Sequence, residues 1–256
     1  MGRGNGQGAY LVVIEHAAGH QPLAALLFGE QSRPAADRIA ALAAETDGFA
    51  LINTTHAQQG AAELLRDGLT FDMAGLAPAE PLLPPEAVHR VALPAEFAPA
   101  QCEAVRFLAG PHLAGAEHLA PVLRVAATIL RHLTQLEGLE AIIWRPARII
   151  MSPVWFAEAV GIWLAGGPFP ALALTALART EQGLASEGLG FLIGQEFTLS
   201  AKEGTAGRED SRIAVRLTDW LFAHGRVEAP REVVLAGAGA VWLEPVGHNR
   251  LNVSVR

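Results

Sequence analysis

Apolar residues recur at three- and four-residue spacing in several parts of the chain, as on the buried face of an amphipathic helix. The longest such run extends from Glu117 to Leu136, and Gly138 follows it where a helix commonly ends. Ser152-Pro153 marks another helix start, because serine is a good cap and proline suits the first turn. The pattern predicts further helices at residues 35–45, 58–66, 100–109 and 210–225.

Short runs of β-branched, aromatic and other apolar residues lie between these helices, bounded by turn residues. They predict strands at residues 9–16, 49–55, 88–93, 141–151, 169–178, 189–199, 233–235, 240–243 and 251–255. Pro146 cannot donate a ladder hydrogen bond, so the strand that contains it should have an edge position or a bulge there. Alternation places Glu196 on the strand face opposite Phe197 and Leu199.

The order of these elements favours an α+β fold. Hairpins near the C-terminal end, with helices before them, predict a largely antiparallel or mixed sheet with helices packed on one face. A strand-helix-strand order occurs at residues 9–55 and again at 141–178. This repeated order indicates that the α+β fold contains two similar α/β subdomains.

Glycine and proline punctuate the chain. The glycine-rich residues 1–8 are predicted to be a flexible tail before a single domain of residues 9–256. Four prolines make residues 77–86 a soft internal boundary. Residues 159–178 carry no charge, like a membrane span, but Gly166 to Pro170 interrupt them. We interpret the stretch as a buried helix followed by a buried strand.

Composition adds three expectations. Apolar residues make up 51% of the chain and charged residues only 18%, a surplus of apolar surface that a homodimer interface would cover. The net charge of −7 and the scattered Lys and Arg residues argue against nucleic acid. The single cysteine and the lack of an apolar secretory segment favour the cytoplasm.

Motifs for catalysis and metal binding are incomplete. Glu15, His16 and His20 have metal-ligand spacing, but His16 ends a predicted strand and Gly19 disrupts a helix, so the motif lacks its helical scaffold. No G-x-S-x-G motif occurs, and Cys102 is best interpreted as a packed side chain. The sequence therefore predicts neither a metal nor a cofactor.

Charged residues within the most apolar third of the chain need partners or solvent. Arg145 or Arg148, with Trp144 and Trp155 as apolar walls, would form a shallow pocket for a small anionic ligand or a peptide. The alternative is a solvated or salt-bridged sheet edge, with arginine stacked on tryptophan.

Three further residues complete the candidate site. Arg179 and Glu196 interrupt the same apolar region, and His56 follows polar residues at a predicted strand end, where binding residues often lie. The alternative for His56 is a local hydrogen bond to the backbone of its turn.

Residues 188–196, Gly-Leu-Gly-Phe-Leu-Ile-Gly-Gln-Glu, follow the Trp144-Arg145-Pro146 strand. Together they resemble an uncharacterised bacterial family of α+β domains over about residues 117–200. A threonine often found near the glycine-leucine pair of that family is Ser186 here. The resemblance implies an α+β fold and no established activity.

Two functions from different classes follow. The leading hypothesis is an intracellular binding or protein-interaction domain that associates with itself, because no catalytic motif is intact. The alternative is a small-molecule enzyme, a hydrolase or transferase, with a cleft around Arg145, Arg179 and Glu196. A membrane-associated protein is a third interpretation, and it depends only on residues 159–178.

Overall fold

A computed structural model describes residues 21–53, 56–201 and 206–256. The chain divides into two compact units. The first comprises residues up to 145 together with 150–164, and the second comprises residues 146–149 and 165–256. The predicted strand at 9–16 and the Glu15-His16-His20 motif lie outside the described residues, whereas the proline-rich residues 77–86 lie within the first unit.

An eight-stranded sheet forms the centre of the first unit. Its strands stand in the order β2-β3-β4-β6-β1-β7-β8-β5. In chain order they are β1 (Ala24–Phe28), β2 (Ala50–Asn53), β3 (Ala61–Arg66), β4 (Leu69–Ala74), β5 (His89–Val91), β6 (Glu103–Ala109), β7 (Leu139–Trp144) and β8 (Ile149–Met151). Strand β1 pairs antiparallel with both β6 and β7, and every residue of β1 is buried. Burial on both faces explains why β1 is a continuous apolar run.

Three helices belong to the first unit: α1 (Ala36–Thr46), α2 (Ala120–Leu133) and α3 (Pro153–Leu164). All three were predicted, α1 and α2 from their apolar spacing and α3 from the Ser152-Pro153 start signal. Helix α2 buries a stripe that includes Leu123, Ala126 and Leu130. Helix α3 is apolar around most of its circumference, although only Phe156, Val160 and Trp163 are buried.

A six-stranded sheet forms the second unit, in the order β12-β13-β14-β11-β10-β9. Its strands are β9 (Ala176–Thr180), β10 (Gly183–Glu187), β11 (Glu196–Ser200), β12 (Arg231–Leu235), β13 (Gly239–Val246) and β14 (Arg250–Val255). The pair β11–β14 is parallel and the other neighbours are antiparallel, so this sheet is mixed. With two sheets and six helices in the described residues, the predicted α+β fold is confirmed.

Helices α4 (Ala171–Leu174), α5 (Leu189–Ile193) and α6 (Arg208–His224) complete the second unit. Helix α6 packs against β10 and β12 and buries Ile213, Leu217 and Leu221, as its apolar spacing predicts. It begins at Arg208, where the Asp210 side chain accepts a hydrogen bond of 2.7 Å from the backbone N–H of Gly207. No helix in the described residues combines the length and the apolarity that a membrane crossing requires.

The helix predicted at residues 58–66 is wrong. The chain makes one 3-10 turn at Ala57–Gln59 and then forms strand β3, which pairs with β4. Asp67 and Gly68 both have positive φ and close a two-residue hairpin turn between the strands. Asp-Gly is a strong hairpin signal, so this signal overrides the helix preference of the alanines and leucines beside it.

The helix predicted at residues 100–109 is also wrong. Residues 103–109 form β6, which pairs with β4 on one side and β1 on the other. Val105, Phe107 and Leu108 are buried because both faces of this strand are covered. A short apolar run of this kind fits a buried helix and a central strand equally well, so its periodicity could not decide.

Two predicted strands are partly helical. Residues 169–178 contain α4 before β9 begins, because Pro170 starts a helical turn of alanines and leucines. Residues 189–199 contain α5 before β11 begins. Gly188 and Gly194 flank α5 with φ of +89° and +74°, so a glycine at each end permits the chain to turn.

Candidate functional site

The seven residues predicted to form a ligand site are divided between the two units. Trp144, Arg145, Trp155 and His56 belong to the first, and Arg148, Arg179 and Glu196 belong to the second.

Arg145 and its neighbours have structural contacts in the first unit. The Arg145 guanidinium donates to the Gln21 side-chain oxygen at 3.2 Å and to the Glu86 carbonyl at 3.4 Å. Trp144 is buried in β7 opposite Ala24 of β1, and Trp155 is half-buried on α3. The alternative from the sequence was a solvated or salt-bridged sheet edge, and the contacts of Arg145 described above are hydrogen bonds at the end of β7.

Glu196 is the acceptor of a local hydrogen-bond network in the second unit. The Ser186 hydroxyl donates to one carboxylate oxygen, and the backbone N–H of Gly190 donates to the other at 2.7 Å. The Ser186 oxygen also accepts from the backbone N–H of Phe197 at 2.8 Å. Glu196 thus connects the end of β10, the first turn of α5 and the start of β11.

A second set of contacts stabilises the turn between β10 and α5. Arg148 forms an ion pair with Glu187, and Ala147 lies against Gly188. A β-carbon on Gly188 would fall 2.5 Å from that of Ala147, so no side chain fits there. Residues 187–190 therefore contact Arg148 on one side and Glu196 on the other. Both predicted site residues hold this turn.

Arg179 has a separate position on β9. Its guanidinium donates to the backbone carbonyl of Ala206, just before α6. An open groove of about 320 Å³ does lie beside Glu196, and Thr198, Asn249 and Arg250 are among its lining residues, but Arg179 is not. The charges predicted to form one cleft therefore have separate partners.

His56 lies in a polar niche at the end of β2. Asn53, Glu63 and Asp72 are successive cross-strand partners on β2, β3 and β4, and they line this niche with His56. Both His56 and Asp72 are buried. The niche has a volume of only about 20 Å³, which is on the order of one or two water molecules. It can hold water but no organic ligand.

Cys102 is unsuited to nucleophilic chemistry. It belongs to an apolar cluster with residues of β1, β6, β7 and β8, and its sulfur lies 3.6 Å from a Glu140 carboxylate oxygen. Burial and the negative charge of Glu140 raise the pKa of the Cys102 thiol to about 11. The reactive thiolate is therefore scarce at neutral pH.

A larger groove lies on the surface of the second unit, between α6 and the chain just before α4. Its volume is about 460 Å³, within the range of small-molecule sites. The lining residues are Pro168, Phe169, Ser211, Arg212, Val215, Arg216 and Asp219. We call it the α6 groove. The sequence does not predict this groove, because no motif connects residues 168–169 with one side of a helix forty residues later.

Helix α3 of the first unit carries exposed apolar residues. Val154 is 68% exposed and Ile162 is 59% exposed, and with the exposed Glu158 they follow one another at four-residue spacing. Such residues form a continuous line along a helix. We call this line the α3 strip. Beside it, Arg131 of α2 donates to the Ala157 carbonyl at 3.3 Å.

His132 makes the first unit sensitive to acid. Its ring lies on Gly48, and burial, followed by the positive charges of Arg66 and Arg131, lowers its pKa from 6.5. The unfolded chain therefore binds a proton more readily than the folded chain does. The free energy of unfolding has its full value above the pKa that His132 has in the unfolded chain, about 6.5. It falls as the pH drops below that value and becomes constant below the pKa of His132 in the folded chain.

We expect His132→Phe to reduce this loss of stability. Urea denaturation at several pH values between about 5 and 7.5 measures it, since the range spans the ordinary histidine pKa. The difference between the two proteins isolates His132 from the other histidines. An identical pH dependence in both proteins would contradict the lowered pKa.

No family model, curated protein or solved structure matches the chain. The resemblance at residues 188–196 therefore stays a prediction. Within residues 21–53, 56–201 and 206–256, no group of three or more His, Cys, Asp or Glu side chains is placed to hold a metal ion.

Proposed function

We propose that this chain is an intracellular interaction domain that forms a homodimer through the α3 strip. The observation that carries the proposal is the exposure of Val154 and Ile162 on a helix that is apolar around most of its circumference. Exposed apolar surface of this kind is more common at protein interfaces than on the surface of a monomer. The large apolar share of the whole chain supports the same interpretation.

The charges of Glu158 and Arg131 favour a second copy of this chain as the partner. When two α3 helices cross in opposite directions about a two-fold axis at Glu158, Val154 of one protomer faces the partner's Ile162. The two Glu158 carboxylates then lie near each other, which is unfavourable alone. Arg131 beside the strip supplies the opposite charge for the partner's Glu158.

An interaction domain fits the described residues better than an enzyme. The Ser186 hydroxyl donates to Glu196 instead of to a histidine, and Cys102 keeps its proton at neutral pH. Arg145 belongs to a different unit from Arg179 and Glu196, and each has its own structural partner. None of these groups pairs a serine or cysteine nucleophile with a histidine base.

We expect Ile162→Glu to convert the dimer to a monomer. The substitution occurs twice in a symmetric interface, so the dimer dissociation constant should rise about 100-fold or more. Sedimentation equilibrium over a range of protein concentrations measures it. Val234→Glu is the matched control, because Val234 is 75% exposed but lies on β12 of the other unit. A wild-type monomer at all concentrations would refute the proposal, as would equal weakening by both variants.

Charge reversal tests the arrangement within the interface. Glu158→Arg alone should weaken the dimer, and the added substitution Arg131→Glu should restore it by exchanging the two charges. The same ultracentrifugation measures both variants. A double variant no better than the single one would show that Glu158 and Arg131 do not meet across the interface.

A further inference from the structure

The α6 groove combines an apolar floor with a cationic rim. Phe169 is buried, and its ring stacks on Phe222 of α6 with 4.0 Å between the centroids. Pro168 and Val215 add apolar surface beside it. This floor can accept a flat apolar group, since packing on aromatic and aliphatic side chains needs no particular hydrogen bond.

Two arginines one helical turn apart supply the charge. Arg212 and Arg216 are both exposed on α6. Arg212 makes an exposed ion pair with Glu209 at 3.3 Å, a contact that contributes little to stability and that a ligand can replace. The guanidinium of Arg216 has no hydrogen bond or ion pair with the described part of the chain. It is therefore available to an anion.

Asp219 determines the orientation of a ligand in the groove. Its carboxylate accepts a hydrogen bond of 2.9 Å from the backbone N–H of Phe169, so it fixes the chain before α4 against α6. Its negative charge disfavours an anion at that end of the groove. The anionic group of a ligand belongs at Arg212 and Arg216, and the apolar group belongs over Phe169.

We infer that the α6 groove binds a small organic anion, a phosphate or carboxylate attached to an aromatic or similarly flat apolar group. Guanidinium groups bind both anions through paired N–H donors. The inference does not depend on the homodimer, because the groove and the α3 strip belong to different units.

Titration with phenyl phosphate, followed by NMR of the whole chain, tests the inference. We expect saturable binding with a dissociation constant on the order of 1 mM or tighter, and shifts at the Phe169 and Val215 signals. Inorganic phosphate should bind at least about tenfold more weakly, because it lacks the apolar group. If benzoate also binds, the ligand class includes carboxylates. If phenyl phosphate binds and benzoate does not, the class is restricted to phosphates.

Arg216→Ala should weaken phenyl phosphate binding about tenfold or more, since a charge-assisted hydrogen bond is lost. Arg208→Ala is the matched control, because Arg208 is exposed on the same helix and does not line the groove. Both residues are exposed, so both variants should fold. No saturable binding, or equal effects of the two variants, would overturn the inference. Binding of inorganic phosphate as tight as that of phenyl phosphate would also overturn it.

Discussion

Replacing Arg33 with methionine is expected to lower the free energy of unfolding by about 3–5 kcal/mol, the usual cost of breaking a buried ion pair from one side. The Arg33 side chain is only 8% exposed and its partner Glu103 is 17% exposed. Their nitrogen and oxygen are 2.7 Å apart. Arg33→Met leaves the largely buried Glu103 carboxylate without its counter-charge.

Arg33 also holds a loop within the first unit. Its two terminal nitrogens donate to the backbone carbonyls of Gly75 and Ala79, the second at 2.8 Å. One planar guanidinium thus joins the end of β4, the proline-rich stretch after it and Glu103 on β6. Lysine cannot reproduce this fork, so Arg33→Lys should recover only part of the stability.

Urea denaturation followed by circular dichroism measures these changes. Arg38→Met is the control, since the Arg38–Glu45 pair is 3.7 Å apart and both side chains are exposed. It should change stability by less than about 0.5 kcal/mol. The double variant Arg33→Met/Glu103→Leu should be more stable than Arg33→Met, because it removes the unpaired charge. A loss equally small for Arg33→Met and Arg38→Met would contradict the role of Arg33.

Periodicity in the sequence was enough to predict the long helices. In α2 and α6 apolar residues face the core and polar residues face solvent, so the pattern along the chain records the packing directly. The strands near the C-terminal end were predicted for the same reason. In β12 and β14, buried and exposed residues alternate.

Prediction failed where an element is buried on all sides, because its sequence then shows no contrast between apolar and polar positions. Strand β6 is covered on both faces, so its apolar run has no helical or extended period. Segment 189–193 is apolar throughout and becomes helical because glycines with positive φ precede and follow it. The β3–β4 hairpin was missed for another reason: the Asp67-Gly68 turn signal was present in the sequence, but the helix preference of residues 58–66 was given more weight.

The candidate sites needed the folded structure for a different reason. The α6 groove joins residues 168–169 to one side of a helix, and the niche at His56 joins three strands. Neither combination has a fixed spacing in the chain. Glu196 was correctly placed opposite Phe197 and Leu199 on its strand, yet its hydrogen bonds to Ser186 and Gly190 depend on helix α5, which was not predicted.

Replacing Glu196 with alanine is expected to lower the stability of the second unit by about 2–4 kcal/mol, because two donors lose their acceptor. Ser186 is buried and Gly190 is half-buried, and the Ser186 hydroxyl and the Gly190 N–H each donate to one oxygen of this carboxylate. Glu196→Gln keeps one acceptor oxygen and should lose about half as much. Thr198→Ala is the control, since Thr198 is exposed on the same face of β11.

Hydrogen exchange separates this structural role from a catalytic one. If Glu196 holds the turn, exchange of the Gly190 amide should accelerate in Glu196→Ala in proportion to the stability lost, while the control leaves it unchanged. A carboxylate kept for chemistry would behave differently: removing it from a strained site would leave stability equal or higher. Unchanged or increased stability in Glu196→Ala would therefore support the enzyme hypothesis, with Glu196 acting in the groove that Arg250 also lines.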